Sequence, residues 1–125
     1  MAKKTSIRIR WLPRPRAANY PAALSYLLLV LSPKDAKARV ESLRESPVVE
    51  FKAKDIFRAS GLSLLGVSNF HVQRDHLKIA SGEKLSPILL LRQPALGKVV
   101  IADGYHRLCA VYSLDEDAVV PCQIV

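Results

Sequence analysis

The chain is poor in the residues that build covalent or metal-bound frameworks. It has two cysteines, Cys109 and Cys122, and three histidines among its 125 residues. The spacing of these residues is not that of zinc ligands, and both cysteines lie in apolar segments. We therefore expect free thiols in a hydrophobic core and no metal site. Free thiols favour a reducing compartment, so a cytoplasmic location is expected.

Long hydrophobic runs are also missing. The most apolar stretch covers residues 21–31, and eleven residues are too few to cross a bilayer. A signal peptide has a similar apolar run after basic residues, but Lys34, Asp35 and Lys37 place charge where such a peptide is neutral. We expect no membrane partner.

Acidic residues are absent from the first 16 positions, so the net charge of +8 is uneven. The rest of the chain holds 13 of the 19 basic residues and all 11 acidic ones. A basic arm attracts nucleic acid through sequence-independent electrostatics, although a solvated, solubilising tail has the same composition. The nucleic-acid interpretation assigns six contact residues: Lys3, Lys4, Arg8, Arg10, Arg14 and Arg16.

Three regions follow from the pattern: a basic arm at 1–16, a helical hairpin at 17–46 and a domain at 47–125. The first helix of the hairpin, 21–31, is apolar on all sides. It must be buried in the body or against another subunit, so a homodimer and ordinary core packing are both open. The second helix, 33–45, begins at a serine cap, Ser32, followed by Pro33.

Strand and helix patterns alternate in the last region, which predicts an α+β fold with a small mixed sheet. The predicted strands are 48–52, 87–92, 98–102 and 119–125. The predicted helices are 54–59, 71–81 and 105–114. Because proline cannot donate to a β-ladder, Pro121 predicts that the last strand lies at a sheet edge.

The segment 99–108 carries the strongest functional signal. An apolar strand, Val99–Ala102, ends at Asp103 and Gly104, and the pair His106 and Arg107 follows on the first turn of a helix. Free N–H groups at a helix start, together with one fixed and one titratable cation, predict an anion site. Phosphate is the expected anion.

Each residue of this turn has two interpretations. Arg107 can grip a phosphate in a bidentate manner or form a salt bridge with Asp103. His106 can donate to phosphate or stand as an ordinary helix-start residue. Asp103 can cap the helix, which is the simpler account, or help to hold a magnesium ion. Gly104 allows close approach of a ligand or a positive φ.

Two further sites are weaker candidates. His71 and Arg74 stand near the start of the 71–81 helix, where they could form a second anion-binding element or a solvated helix start. Tyr105 could stack on a base or sugar, although its spacing with Leu108 and Tyr112 is also that of a core residue.

The strand 86–91, the second strand ending in Ile101-Ala102-Asp103-Gly104-Tyr105-His106-Arg107, the helix and the final strand resemble the ParB/sulfiredoxin-like domain. The resemblance covers about residues 48–125 and excludes the hairpin. It implies a sheet of that type with an N-terminal extension, a turn glycine at Gly104, a phosphate-contacting arginine at Arg107 and a basic partner at His106.

The chain departs from this family at one decisive position. Tyr105 stands where sulfiredoxins have their catalytic cysteine and where chromosome-partitioning ParB proteins have a glutamate. The resemblance therefore implies neither sulfinic acid reduction nor partition-type CTP hydrolysis, and no helix-turn-helix domain is present. The Asp-Gly-x-His-Arg turn is closer to that of ParB-fold small-molecule kinases, in which Asp103 would lie near the phosphates.

Three hypotheses result. The first is a regulatory or nucleic-acid-associated protein that binds a nucleotide or another phosphorylated small molecule at 103–107. The second is a magnesium-dependent kinase that transfers phosphate to a small hydroxyl compound, with Asp103 and His106 as catalytic candidates. That hypothesis lacks a separate catalytic carboxylate. The third is a non-catalytic homodimer that interacts through the 21–31 helix.

Overall fold

A computed structural model describes residues 8–66 and 68–125 and has a mixed α+β fold. Its helices are α1 (Asn19–Val30), α2 (Pro33–Glu45), α3 (Ala53–Ser60), α4 (Phe70–Ala80) and α5 (Tyr105–Leu114). Its strands are β1 (Arg10–Trp11), β2 (Val49–Lys52), β3 (Lys84–Leu85), β4 (Ile88–Gln93), β5 (Lys98–Asp103) and β6 (Val119–Ile124). A short 3₁₀ turn, Pro94–Leu96, joins β4 to β5.

The main sheet has the strand order β2-β6-β4-β5. The outer pairs, β2 with β6 and β4 with β5, are antiparallel, while the central pair β4 and β6 is parallel. The predicted small mixed sheet is therefore confirmed. Parallel neighbours require a crossover connection, and the segment from β5 through α5 to β6 brings β6 alongside β4.

The prediction that Pro121 marks an edge strand is wrong, because β6 lies between β2 and β4. Pairing explains how a central strand accommodates this proline. Pro121 stands opposite Glu50 of β2, but the register with β4 begins one residue later, at Cys122 opposite Ile88. On the β4 side, the missing N–H therefore falls just before that ladder starts.

Alternation along β4 divides the core into two clusters. Leu89 and Leu91 point to the helical hairpin of α1 and α2, where they pack with residues such as Leu27 and Leu43. Ile88 and Leu90 point to the opposite side and pack with α3, α4 and α5. Successive side chains of a strand face opposite ways, so one apolar run supplies both clusters.

Helix α1 buries only one stripe, although its sequence is apolar on every side. Tyr20, Ala23 and Leu27 are buried, whereas Leu29 is 82% exposed and Tyr26 is 43% exposed. The predicted core contact is therefore real for that stripe, and the outer face is solvent-accessible. Within residues 8–66 and 68–125, none of the helices has both the length and the hydropathy needed for a bilayer span.

The described part of the basic arm packs on the body. Strand β1 pairs in parallel with β3, which sets Arg10 opposite Lys84 and Trp11 opposite Leu85. The Leu12 amide donates to the Leu85 carbonyl at 2.8 Å. This two-residue ladder holds the arm beside the end of α4, because β3 follows α4 directly.

Candidate functional site

The turn between β5 and α5 requires glycine. Gly104 has a φ of +107°, which side-chain-bearing residues rarely adopt. A Cβ atom there would lie 2.5 Å from Ile88 Cδ1 and 2.8 Å from Arg107 Nη2. The turn is therefore crowded on its inner side. Because glycine has no Cβ, it leaves room there for the Arg107 side chain.

Arg107 is anchored to the backbone that precedes β4. Its Nε donates to the Ser86 carbonyl at 3.0 Å, and its Nη2 donates to the Pro87 carbonyl at 3.3 Å and to Asp103 Oδ2 at 3.0 Å. The salt bridge with Asp103 is thus present. Among residues 8–66 and 68–125, Arg107 Nη1 has no hydrogen-bond acceptor. A ligand could therefore accept from Nη1, but not from two guanidinium nitrogens at once.

The prediction that Asp103 caps α5 is wrong. Gly104 occupies the N-cap position, and within the described part of the chain the Asp103 carboxylate accepts from Arg107 and not from the first turn of α5. The Asp103 carboxylate turns to Arg107 instead, because a charge-assisted hydrogen bond competes successfully with a cap. Among the residues that the structure describes, the leading amides of α5 therefore have no side-chain acceptor.

These amides border a polar cavity of about 320 Å³. Loops and helices from distant parts of the chain line this cavity, and most of the lining residues are charged or polar. The lining residues are Arg16, Asn19, His71, Arg74, Asp75, Lys78, Lys84, Leu85, Ser86, Asp103, Gly104, Tyr105, His106 and Arg107. We call this space the basic cavity, since five fixed cations face two carboxylates.

Both carboxylates of the basic cavity already face cations. Asp103 is bonded to Arg107, and the Asp75 carboxylate, which is 3% exposed as a residue, lies 3.9 Å from Lys78 Nζ. No ion pair involves the three other cations, Arg16, Arg74 and Lys84, within the described residues. They supply the excess positive charge of the basic cavity.

Helix α4 delivers one wall of the basic cavity. Asn69 caps it, with Oδ1 accepting from the amides of His71 and Val72 at 2.9 and 3.2 Å. Arg74 and Lys78 follow four residues apart and therefore share one helix face. The structure thus brings His71 and Arg74 to the same cavity as the 104–107 turn.

Two histidine rings stand side by side on this wall. The centroids of His71 and His106 are 4.7 Å apart. Desolvation lowers the pKa of His106 below its usual value of 6.5; His71 and Arg74 lower it further, and Asp75 opposes them. His106 is therefore neutral at pH 7 and can offer an N–H to a ligand without carrying charge.

Tyr105 belongs partly to the core and partly to the cavity wall. Its ring packs against the cluster beneath α5, and its hydroxyl donates to the Ser63 carbonyl. Burial raises the pKa of this phenol, so it stays protonated.

A second hollow of about 410 Å³, with Tyr26 and Leu62 in its wall, lies on the other side of the same turn.

The arm residues separate in space. Arg16 lines the basic cavity, and its backbone amide donates to Asn19 Oδ1 and Ser86 Oγ. Arg8 and Arg10 line a neighbouring groove, whereas Arg14 donates to the Arg44 carbonyl at the end of α2. The other two predicted nucleic-acid contacts, Lys3 and Lys4, lie outside the described residues.

Sequence reasoning missed several cavity residues. Lys78 could have been found, because it lies one helical turn after Arg74 on the same face. Lys84 carries no such signal, since it lies beyond α4 in a strand, β3, that pairs with a segment more than 70 positions away. Arg16 was assigned to a separate arm and is part of this wall.

Both thiols are buried and unpaired. Burial raises the pKa of Cys122 to about 12 and also raises that of Cys109, so both stay protonated. Among residues 8–66 and 68–125, no cluster of three or more His, Cys, Asp or Glu side chains could hold a metal. The two carboxylates of the basic cavity, Asp75 and Asp103, both face cations, so any magnesium ion there would compete with Lys78 and Arg107 for them.

No protein-family model, curated protein or solved structure matches the chain. Functional inference therefore depends on the chemistry of the basic cavity. That chemistry is an excess of fixed positive charge around a crowded glycine turn.

Proposed function

We propose that this protein is a ParB/sulfiredoxin-like domain that binds a nucleotide or another phosphorylated small molecule in the basic cavity. The observation that carries the proposal is the charge of that cavity. Arg16, Arg74 and Lys84 face it without an ion-pair partner among the described residues, so a ligand with two or three negative charges neutralises them. A phosphate monoester or a diphosphate has that charge.

The shape of the site supports a small ligand. A cavity of about 320 Å³ is at the lower end of the range for small-molecule sites. Arginine suits phosphate because the guanidinium presents several donors and is less strongly hydrated than an ammonium group. Arg74 would bind the phosphoryl oxygens directly, while Arg107 would offer Nη1 and otherwise hold the turn in shape.

The order of elements supports the family assignment within this proposal. Strand β4, strand β5, the Gly104–Arg107 turn, α5 and β6 follow one another as the resemblance implies. The role we propose is regulatory or nucleic-acid-associated. Two buried free thiols fit a reducing compartment, which supports a cytoplasmic location.

The kinase hypothesis has less support from the geometry. Phosphoryl transfer needs a group that orients or deprotonates the acceptor hydroxyl, and Asp103 is held by Arg107. His106 is the one candidate base among the residues of the turn. Incubation with ATP or ADP, magnesium and a panel of small hydroxyl compounds tests this; acceptor-dependent AMP or ADP release would establish the kinase.

Thermal unfolding with a panel of phosphates, nucleoside mono-, di- and triphosphates tests the binding proposal. A ligand at a hundredfold its dissociation constant adds about 2.7 kcal/mol to the free energy of unfolding. Arg74→Ala should reduce the shift in melting temperature, and Lys98→Ala, a cation outside the cavity, should leave it unchanged. Equal shifts for the wild type and Arg74→Ala would contradict the proposed site.

The outer face of α1 favours a second candidate function, association of two copies of the chain. Helix α1 contains no charged residue, and Leu28, Leu29 and Val30 are all exposed. Exposed apolar patches are typical of interaction surfaces. Light scattering tests this candidate: a dimer that Leu29→Lys converts to a monomer supports it, and a monomeric wild type contradicts it.

A further inference from the structure

A second positively charged surface adjoins the basic cavity. It is a groove of about 470 Å³ lined by Arg8, Ile9, Arg10, Trp11 and Lys84. We call it the β1 groove. None of the described residues that line it is acidic, so these residues give the groove a positive charge. Lys84 lines both the groove and the basic cavity, so the two surfaces are neighbours that share one cation.

The β1–β3 ladder fixes the direction of this basic track. Arg10 stands opposite Lys84, and Arg10 Nη1 reaches the Gly82 carbonyl at 3.4 Å. Neighbouring strands lie about 4.8 Å apart, so Arg10 and Lys84 are close enough to form one cationic site rather than two. The track runs from Arg8 and Arg10, past Lys84, to Arg74 in the basic cavity.

The charge changes along the track. The groove offers three cations, Arg8 and Arg10 from the β1 segment and Lys84 from β3, which suits singly charged phosphodiesters. The basic cavity has five fixed cations against two carboxylates, which suits a dianionic phosphate monoester. A free mononucleotide would use only the cavity and would leave the groove empty.

One exposed aromatic side chain lies beside Arg74, and a second, partly buried one is in the groove wall. Phe70 is 67% exposed at the start of α4, with the Arg74 guanidinium 6.0 Å above its ring and the His71 ring 5.5 Å away. Trp11 forms part of the groove wall. A positively charged groove with aromatic side chains is the arrangement that binds single-stranded nucleic acid, since bases stack on the rings.

We infer that the protein binds the phosphorylated end of a single-stranded nucleic acid. The terminal phosphate occupies the basic cavity, the following phosphodiesters lie along the β1 groove, and the base nearest the end stacks on Phe70. The inference rests on the proposed function, because the same cavity holds the phosphate. It adds the class of ligand, a polymer, and the second surface that recognises it.

Fluorescence anisotropy with decanucleotides tests the inference. DNA and RNA strands carry the dye at one end and either a phosphate or a hydroxyl at the other, with 5′ and 3′ versions compared. The expected result is at least a tenfold preference for one phosphorylated end over the hydroxyl. The phosphorylated strand should also bind at least tenfold more tightly than the matching mononucleotide.

Variants separate the two surfaces. Arg74→Ala should remove the preference for the phosphorylated end. The double variant Arg8→Ala/Arg10→Ala should weaken both strands equally and leave mononucleotide affinity unchanged. Each phosphate contact on a single strand contributes about −0.7 to the slope of log affinity against log salt, so this double variant should flatten that slope by about 1.4. Lys98→Ala is the control and should behave as the wild type.

The outcomes are distinct. If mononucleotides bind but strands bind no more tightly, the inference fails and the proposed function stands. If neither binds, both fail. Equal affinity for phosphorylated and hydroxyl ends would also overturn the inference, as would equal competition by an acidic peptide such as polyglutamate, because the track would then be a general anion surface.

Discussion

Strand β5 begins and ends at a glycine turn, and the two turns differ in what surrounds them. Gly97 has a φ of +63°, and nothing lies within 4 Å of the position that a Cβ would take. Gly104 has a φ of +107°, and the same construction meets Ile88 and Arg107. The first turn joins two strands of a hairpin, while the second also positions an arginine beside a cavity.

The comparison of the two turns shows what distinguishes a simple strand connection from a candidate site. At Gly97 the chain needs only a left-handed residue, and the neighbouring Leu96 is 67% exposed. At Gly104 a core isoleucine and a guanidinium occupy the space that a Cβ would take, and cations from α4 and β3 complete the wall of the basic cavity. The two turns therefore differ in crowding and in charge, and both differences are testable.

The largest expected effect is that of Gly104→Ala. Backbone strain and overpacking each cost about 1–3 kcal/mol, so the free energy of unfolding should fall by about 2–6 kcal/mol. Gly97→Ala should cost about 1–2 kcal/mol, because only the left-handed backbone opposes it. Urea denaturation of both variants measures the difference; equal losses would show that the crowding at Gly104 is not real.

The next effect concerns the ion pair at the same turn. Arg107→Gln should lower the free energy of unfolding by about 2 kcal/mol, because Asp103 and the Ser86 and Pro87 carbonyls lose a charged donor. A double-mutant cycle with Asp103→Asn should give a coupling energy of about 1 kcal/mol. Strict additivity of the two variants would mean that the ion pair contributes nothing.

Most elements of the fold could be predicted from the sequence, because periodicity and caps are local signals. The bounds 33–45 follow from Ser32 and Pro33, and the structure confirms them. The predicted helix at 71–81 begins one residue earlier and ends one residue earlier, with Gly82 at a positive φ just beyond it. The strand order could not be predicted. A central strand accommodates Pro121 only because its pairing with β4 begins one residue after the proline.

The site was predictable only where its residues lie close together in the chain. Gly104, His106 and Arg107 were found because a strand, a glycine and two cations occur within a few positions. The partners of Arg107 were mostly missed, since the Ser86 and Pro87 carbonyls have no side-chain signature. Lys84 and Arg16 reach the cavity through tertiary pairing, which a sequence pattern does not encode.

A smaller effect is expected on ligand affinity. Arg74→Ala should weaken binding of pyrophosphate about tenfold, which corresponds to about 1.4 kcal/mol, because an unpaired cation of the cavity is lost. Lys98→Ala, at the Gly97 end of β5, should change affinity less than twofold. Isothermal titration calorimetry measures both, and a larger loss for Lys98→Ala would reverse the contrast between the two turns.

The smallest effect is the pH dependence of anion binding. The pKa of His106 is lowered from 6.5 in the ligand-free protein, so His106 adds a further positive charge to the bound anion only at acidic pH. Sulfate, whose charge is constant over this pH range, should bind about threefold more tightly at pH 5.5 than at pH 7.5, and His106→Gln should flatten the profile.

Without ligand, the folded state holds the ring proton of His106 less well than the unfolded state. Stability should therefore fall as pH drops below 6.5.

His71→Gln refines the same measurement. Since His71 lowers the pKa of His106, this variant should move the midpoint of the sulfate profile to higher pH. Arg74 on α4 acts in the same direction and Asp75 opposes both, so their variants should shift the midpoint in opposite senses. An unchanged midpoint in all three variants would remove His106 from the site.

The most direct measurement is amide chemical-shift mapping of ¹⁵N-labelled protein during titration with pyrophosphate. Phosphate in the basic cavity predicts saturable shifts at Gly104, Tyr105, His106 and Arg107, together with Arg74, and none at Gly97 or Lys98. Shifts that saturate elsewhere, or no shifts at millimolar pyrophosphate, would contradict phosphate binding at this turn.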